Sequence, residues 1–172
     1  ALIQHVDGLI KEGFHPVIFC RYVATAHYVA DHLKKHFSSK VVTIDAVTGE
    51  YTSEERKQRV EALAEEPARI LVATDCLSEG VNLQHVFTAV IHYDLAWNPT
   101  RHEQREGRVD RFGQPAEQVR CTMLYGQDNP VDGFVLHVIL RKADAIRQEL
   151  GVLVPMPEDA QRINQALVKA AL

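Results

Sequence analysis

Short apolar runs rich in β-branched residues recur along the chain at Val17–Cys20, Val41–Ile44, Ile70–Ala73, Thr88–Ile91 and Val119–Leu124, and each predicts a buried strand. Between them lie segments of helical character, Ala24–His36, Ser53–Glu65 and Thr100–Arg111. Thr52-Ser53-Glu54-Glu55 supplies a capping residue and first-turn acids, and Asn98-Pro99 a helix entry with proline at the first helical position. Alternating strand and helix requires crossover connections, so the expected fold is α/β, a parallel sheet with helices on both faces. In such a sheet the functional loops gather beyond the carboxyl ends of the strands. A longer helix is expected over Val131–Leu150, with Val131, Val135, Val138 and Ile146 on one side and Gly151 as its stop. Pro155-Met156-Pro157 separates it from a last amphipathic helix, Asp159–Ala171, carrying Ile163, Leu167 and Ala170. The expected division is one α/β domain over residues 1–151 and a helical extension over 152–172.

With 172 residues, 46% of them hydrophobic, the chain can fill one sizeable core but not two ordinary ones. Lys and Arg number 19 against 23 Asp and Glu, a formal charge of -4, so any nucleic-acid contact must be local rather than a product of overall basicity. Cys20, Cys76 and Cys121 form no CxxC pair and sit in or beside apolar runs, which predicts buried thiols rather than disulfides or a metal site. The nine histidines show no metal-ligand spacing. No apolar run approaches the ~20 residues that span a bilayer, and no signal segment opens the chain, so a cytoplasmic location, bacterial-type and nucleoid-associated, with no membrane partner is expected. A start at Ala1 rather than methionine is the expectation for a processed product or an excised domain.

The densest chemistry lies in Gln104-Arg105-Glu106-Gly107-Arg108-Val109-Asp110-Arg111-Phe112-Gly113-Gln114. On a helix, Gln104, Arg108 and Arg111 share a face, and Gly107 on that face admits close approach by a backbone or a nucleotide. Two guanidiniums so presented suit the spread charge of a terminal phosphate; the bland reading is a surface helix whose arginines pair with Glu103, Glu106 and Asp110. A second element, Ile70 to Leu83, is an apolar strand that empties into Thr74, Asp75, Ser78, Glu79, Gly80 and Asn82. Its hydroxyls can serve a phosphate, and Asp75, Glu79 and Asn82 can bond sugar hydroxyls or neighbouring loops; ordinary strand-end capping is the alternative.

Together these segments resemble superfamily 2 helicases. Ala73–Asn82 resembles the fifth motif of that superfamily, and Gln104–Arg111 has the glutamine, glycine, arginine, arginine spacing of the sixth. Pro16–Leu33, with Phe19 at the aromatic position, is similar to the fourth motif region, and Thr48-Gly49-Glu50 with Glu55-Arg56 to the stretch after it. Tyr93–Pro99 and Phe112-Gly113-Gln114 resemble the Swi/Snf-type double-stranded DNA translocases, and Asp128–Asp132 with the helix through Lys142 resembles bacterial RNA-polymerase-associated-ATPase-like members. Glu106-Gly107-Arg108 departs from eukaryotic remodellers, which carry an acid where Gly107 stands, so nucleosome remodelling is not carried over.

The resemblance implies the second RecA-like, three-layer half of a nucleic-acid-dependent ATPase. It implies Arg111 as an arginine finger for ATP, with Arg108 assisting and Gln104 linking nucleotide to movement. Glu79, Gly80 and Asn82 would lie on the nucleotide side, Asn82 where relatives place a ribose-contacting acid. Thr74, Thr48 and Arg21 would hold nucleic-acid phosphates, Asp75 would couple the two sites, and Trp97 is read as a buried aromatic or a nucleic-acid wedge. No GxxxxGK[ST] loop or magnesium-binding acidic pair is present, so ATP and Mg would be bound mainly by a first RecA-like domain, leaving this domain inactive alone. The implied partners are double-stranded DNA, that first domain, and RNA polymerase or another DNA-bound complex. Alternatives are an RNA helicase of the same superfamily, a non-catalytic RecA-like binding module, and a doubly wound small-molecule enzyme; against the last stands the lack of a glycine-rich turn after the first strand.

Overall fold

The computed structural model describes residues 1–39, 41–78, 81–96, 98–126 and 130–150. Five strands, β1 (Pro16–Phe19), β2 (Thr43–Val47), β3 (Arg69–Ala73), β4 (Ala89–His92) and β5 (Arg120–Met123), form one sheet in the order β2-β3-β1-β4-β5. Every pairing is parallel, with Phe19 opposite both Ala73 and His92, and Val47 opposite Ala73. The fold is thus the expected RecA-like α/β sheet with a C-terminal helical extension.

Alternation along the strands sorts the core into two layers. Ile18, Cys20, Ile70, Val72, Ala89 and Ile91 pack with Val6 and Leu9 of α1 (Leu2–Lys11) and with Ala26, Val29, Ala30 and Leu33 of α2 (Val23–His36). Val17, Phe19, Leu71, Ala73 and Val90 pack with Val60 and Leu63 of α3 (Ser53–Ala64), with the β3–β4 connection through Leu77, Val81, Leu83, Val86 and Phe87, and with Val109. Chain leaving β1 therefore packs on one face and chain leaving β3 on the other, which makes the carboxyl ends of these neighbouring strands the topological switch point of the sheet.

The capping expectation holds: the Thr52 hydroxyl accepts from the Glu55 amide at 3.3 Å while the Glu55 carboxylate accepts from the Thr52 amide at 2.7 Å. Other expectations need correction. Helix α1 was not anticipated, although Leu2, Val6 and Leu9 repeat at helical spacing and Val6 and Leu9 are buried. Strand β2 begins two residues later than the apolar run, leaving Val41 82% exposed, and continues through Asp45, whose carboxylate is held by Arg59 at 2.9 Å. Cys20 is buried as expected, but Cys76 is only half-buried and Cys121, on the edge strand β5, is exposed.

The chain divides into two compact units, one formed by Ala1–Asp94 and His102–Leu124, the other by Leu95–Arg101 and the chain from Tyr125 onward. Asn98 caps α4 (Pro99–Glu106), its Oδ1 accepting from the Thr100 amide at 3.2 Å, and in the second unit Asp132 accepts from the Gly126 amide at 2.9 Å near the start of α5 (Pro130–Leu150). The buried stripe of α5 is Val135, Leu136, Ile139 and Leu140, with Val138 only half-buried, so it lies one residue around from the expected face. The side chains of Val131 and Ile146, and the helix expected over Asp159–Ala171, lie outside the described residues.

Candidate nucleotide and nucleic-acid interface

Parallel pairing sets the residues after β2, β3, β1 and β4 side by side, about 4.8 Å apart from strand to strand. The ladder runs past the strand ends: the Thr74 amide donates to Val47 at 3.3 Å, Cys20 to Ala73 at 2.8 Å and Tyr93 to Phe19 at 3.0 Å. Register thus brings Thr48, Thr74 and Arg21 to the carboxyl ends of three adjacent strands, with Asp75 one residue beyond Thr74. Thr74 is 6% exposed, and its hydroxyl donates to Cys76 Sγ at 3.3 Å. Thr48 is fully buried and donates to Glu50 at 3.1 Å. Glu50 also takes a 2.9 Å bond from His27, and these two bonds, His27 first, hold its carboxyl below the usual range. Arg21 is exposed, its amide donates to Asp94 Oδ2 at 2.9 Å, and its guanidinium lies 5.1 Å from the Tyr22 ring centre.

Arg105 is the residue that sequence reasoning passed over. It is 4% exposed; its Nε donates to Asp75 Oδ1 at 2.6 Å, its Nη1 reaches the Asp94 carbonyl at 3.4 Å, and its guanidinium lies 5.4 Å from the Phe19 ring centre. Asp75 follows β3, Phe19 ends β1 and Asp94 follows β4, so one side chain crosses the end of the central strand and ties its two neighbours. Beside it, fully buried His92 bonds Glu106 at 2.9 Å and packs edge-on against the ring of buried His102 at 4.5 Å. A signal was available in the sequence: His102, Arg105 and Val109 fall at helical spacing in a segment otherwise bare of apolar residues, so its inward face had to be polar. Burial here also pushes the Cys20 thiol up to about 12, with the Asp94 charge adding and Arg105 opposing.

Helix α4 ends at Glu106, five residues earlier than expected. Beyond it the Arg108 and Val109 amides reach back three residues, to Arg105 at 3.2 Å and Glu106 at 2.9 Å, and the Asp110 amide shares the Glu106 carbonyl at 2.8 Å, so Arg108 and Arg111 lie on turns past the helix end rather than on a helix continuous with Gln104. A Cβ on Gly107 would lie 3.1 Å from the Glu103 carbonyl, which accepts Gly107's own amide; the glycine serves the end of its own helix. Gln104 and Arg111 are exposed and Arg108 is half-buried.

The arginine segment is fastened to the β3–β4 connection. Val109 is fully buried in the same apolar cluster as Leu83 and Phe87. The Gln114 amide group donates to the carbonyls of Val109 at 2.8 Å and Phe87 at 3.1 Å, and Gln84 donates to the Phe112 carbonyl at 3.2 Å. Gly113 makes the intervening bend at φ +91°, where a side chain would be strained. Asn82 lies on this connection, exposed between buried Val81 and Leu83. Polar loop and arginine segment are thus joined at the head of the connection by Asp75–Arg105 and near its tail by Gln84 and Gln114. Glu79, Gly80 and Trp97 lie outside the described residues.

Exposed Arg111 and half-buried Arg108 are donors suited to a phosphate presented from outside. For magnesium the fit is poor: among the described residues no group of three or more His, Cys, Asp and Glu could hold a metal ion. No described helix is long and apolar enough to cross a membrane.

Residues 1–113 match the model of the family described as helicase conserved C-terminal domain. A Bacillus subtilis protein described as the uncharacterized ATP-dependent helicase YqhH is 30% identical over 151 residues, covering 88% of this chain and 26% of the relative. The ATP-dependent RNA helicase FAL1 of Candida albicans is 32% identical over 98 residues, covering 57% and 23%. The chain spans about a quarter of the length of these relatives. Among solved structures, the C-terminal part of the Fun30 ATPase domain aligns over 98% of this chain and 52% of that one, with a TM-score of 0.67 and 16% identity. Domain 2 of the Mss116p DEAD-box helicase bound to an RNA duplex aligns over 98% and 80%, with a TM-score of 0.61 and 17% identity. At such identities the likeness concerns the fold.

Proposed function

The chain belongs to the helicase conserved C-terminal domain family, and from that premise we propose that it is the second motor half of an ATP-dependent nucleic-acid helicase or translocase, supplying an arginine finger in trans to a nucleotide held by the other half. The observation that carries this reading is Arg111, exposed on a loop whose backbone is pinned by Gln84, Gln114 and buried Val109. A cation meant to meet a transferring phosphoryl group must be oriented before that group arrives, since a pre-set charge costs no reorganisation at the moment of reaction.

ATP with magnesium, bound mainly by the other half, would supply the phosphoanhydride bond that drives the motor. In this chain Arg111 would stabilise the charge spread over the terminal phosphate, and Arg108 would assist. Gln104 is one residue from Arg105, so a displacement of α4 would be felt by Asp75 and by the strand ends carrying Thr74 and Arg21. That link gives physical content to the coupling role assigned to Asp75. Arg21 and the hydroxyl-bearing strand ends would follow a phosphate backbone without reading sequence. Thr48 would need to exchange its bond to Glu50 for a phosphate.

RNA as the substrate is supported by the RNA helicases among the curated relatives, at 30–33% identity. Duplex DNA is the second reading, favoured by the Tyr93–Pro99 and Phe112-Gly113-Gln114 segments. The test is steady-state ATPase of the full-length protein, wild type and Arg111→Ala, with RNA duplex, single-stranded RNA, duplex DNA or single-stranded DNA. Stimulation that collapses by ~10³-fold or more in the variant is expected for an arginine finger. The stimulating polymer decides between the substrates, and activity indifferent to Arg111→Ala would refute the assignment.

A further inference from the structure

Next to Arg111, the ring of Phe112 is 100% exposed. Exposing a phenyl ring forfeits the burial free energy that the rest of the core collects, and a loose loop would let it fold back onto the surface. This loop is not loose. The Phe112 carbonyl accepts from Gln84 at 3.2 Å, Gly113 fixes the bend at φ +91°, Gln114 bonds the Val109 and Phe87 carbonyls, and Val109 is fully buried three residues before the ring. Side-chain hydrogen bonds and a left-handed glycine are thus used to hold an aromatic ring out in solvent.

We propose that Phe112 is a docking knob that enters an apolar recess on the other motor half when the two halves close around nucleotide. This inference rests on the finger reading of Arg111. Consecutive Cα atoms are about 3.8 Å apart, so an Arg111 that reaches a phosphate held by another domain carries the backbone of Phe112 close to that domain, and the exposed ring is then within reach of its surface. The chain spans 26% of its Bacillus subtilis relative, so a protein of that length has ample chain to provide the recess. A buried aromatic anchor adjoining a charged contact is the arrangement that concentrates binding energy at interfaces. The knob would make closure depend on shape as well as charge and fix the finger's approach.

The test uses the full-length protein with Phe112→Cys or, as control, Val41→Cys, the latter position being 82% exposed and remote in sequence from the arginine segment. Maleimide labelling is read peptide by peptide by mass spectrometry, with and without a non-hydrolysable ATP analogue plus the stimulating nucleic acid. The expected result is labelling at position 112 slowed by ~10-fold or more in the closed state, with position 41 unchanged. In parallel, Phe112→Ala is expected to lower kcat/KM for ATP by ~10-fold while Phe112→Leu largely restores it. Unchanged labelling at 112, or equal activity of the Ala and Leu variants, overturns the knob even where Arg111→Ala abolishes turnover and the finger stands. If Arg111→Ala is harmless, the finger reading fails and the knob fails with it.

Discussion

Arg105 Nε donates to Asp75 Oδ1 at 2.6 Å, and the pair joins helix α4 to the loop after β3 across the end of the central strand. Arg105 is 4% exposed while the Asp75 side chain is 34% exposed, so the charge that depends on the pair is the arginine's. Asp75→Ala should therefore leave a desolvated guanidinium without its carboxylate, held by the distant Asp94 carbonyl and the face of the Phe19 ring. We expect a loss of about 1–3 kcal/mol in chemical denaturation, below the roughly 3–5 kcal/mol of a fully buried pair because water reaches the carboxylate. Arg105→Lys should fail to rescue the wild-type midpoint, since an ammonium cannot span Asp75 and Asp94 in one plane.

Gln114 pins the arginine loop with two donated bonds and accepts a third from the Ala116 amide at 3.1 Å. Gln114→Ala should cost roughly 1–3 kcal/mol, since the carbonyls it serves are partly shielded. In the full-length protein it should lower ATP turnover more than ATP affinity, because a misplaced finger matters most in the transition state. Turnover unaffected despite a measured stability loss would separate the loop's anchoring from the finger's position.

Burial, with help from Arg69, lowers the pKa of His15 below 6.5, and its buried Nδ1 finds no hydrogen-bond partner among the described residues. Burial and then Arg120 lower that of His5. A group whose pKa is lower folded than unfolded binds more protons when unfolded, so stability rises with pH there. The contribution of both histidines is intact above pH 6.5 and is lost as the pH falls from 6.5 toward their lowered values. Urea midpoints measured between pH 8 and 5 should fall on acidification, and His15→Asn should flatten the slope; an unchanged slope would show that His15 is not responsible.

With its thiol pushed up to about 12 and its side chain wholly buried, Cys20 should resist alkylation at pH 8 in the native protein. Titrating urea with peptide-resolved iodoacetamide labelling should show Cys20 reacting only with global unfolding. Reaction well before that midpoint would mean that the end of β1 opens locally.

Much of the fold could be read before any coordinates. Strands β1, β3, β4 and β5 lie within a residue or two of apolar runs, and Thr52 and Asn98 cap the helices they were expected to cap. The legible features were local: periodicity, caps and punctuation depend on a few neighbouring residues. Helix α1 was legible in principle through Leu2, Val6 and Leu9, while β2 hid its length behind Asp45, whose charge is neutralised by an arginine 14 residues away in sequence. The site was half legible. Composition and spacing marked Thr74, Asp75, Arg108 and Arg111, but a helical wheel drawn through Arg111 does not apply because α4 stops at Glu106.

By itself the sequence determined the parallel α/β class and the strand-end position of the polar loop, since each follows from local pattern and loop chemistry. Only the tertiary structure decided the strand order that puts β1 between β3 and β4. From that order follow the buried Arg105 bridging their ends and the clamp that leaves Arg111 and Phe112 facing solvent. These relationships join residues far apart in sequence, Phe19 with His92 across the strands and Asp75 with Arg105 at their ends, and rest on which groups lose water together, which no single stretch of sequence records.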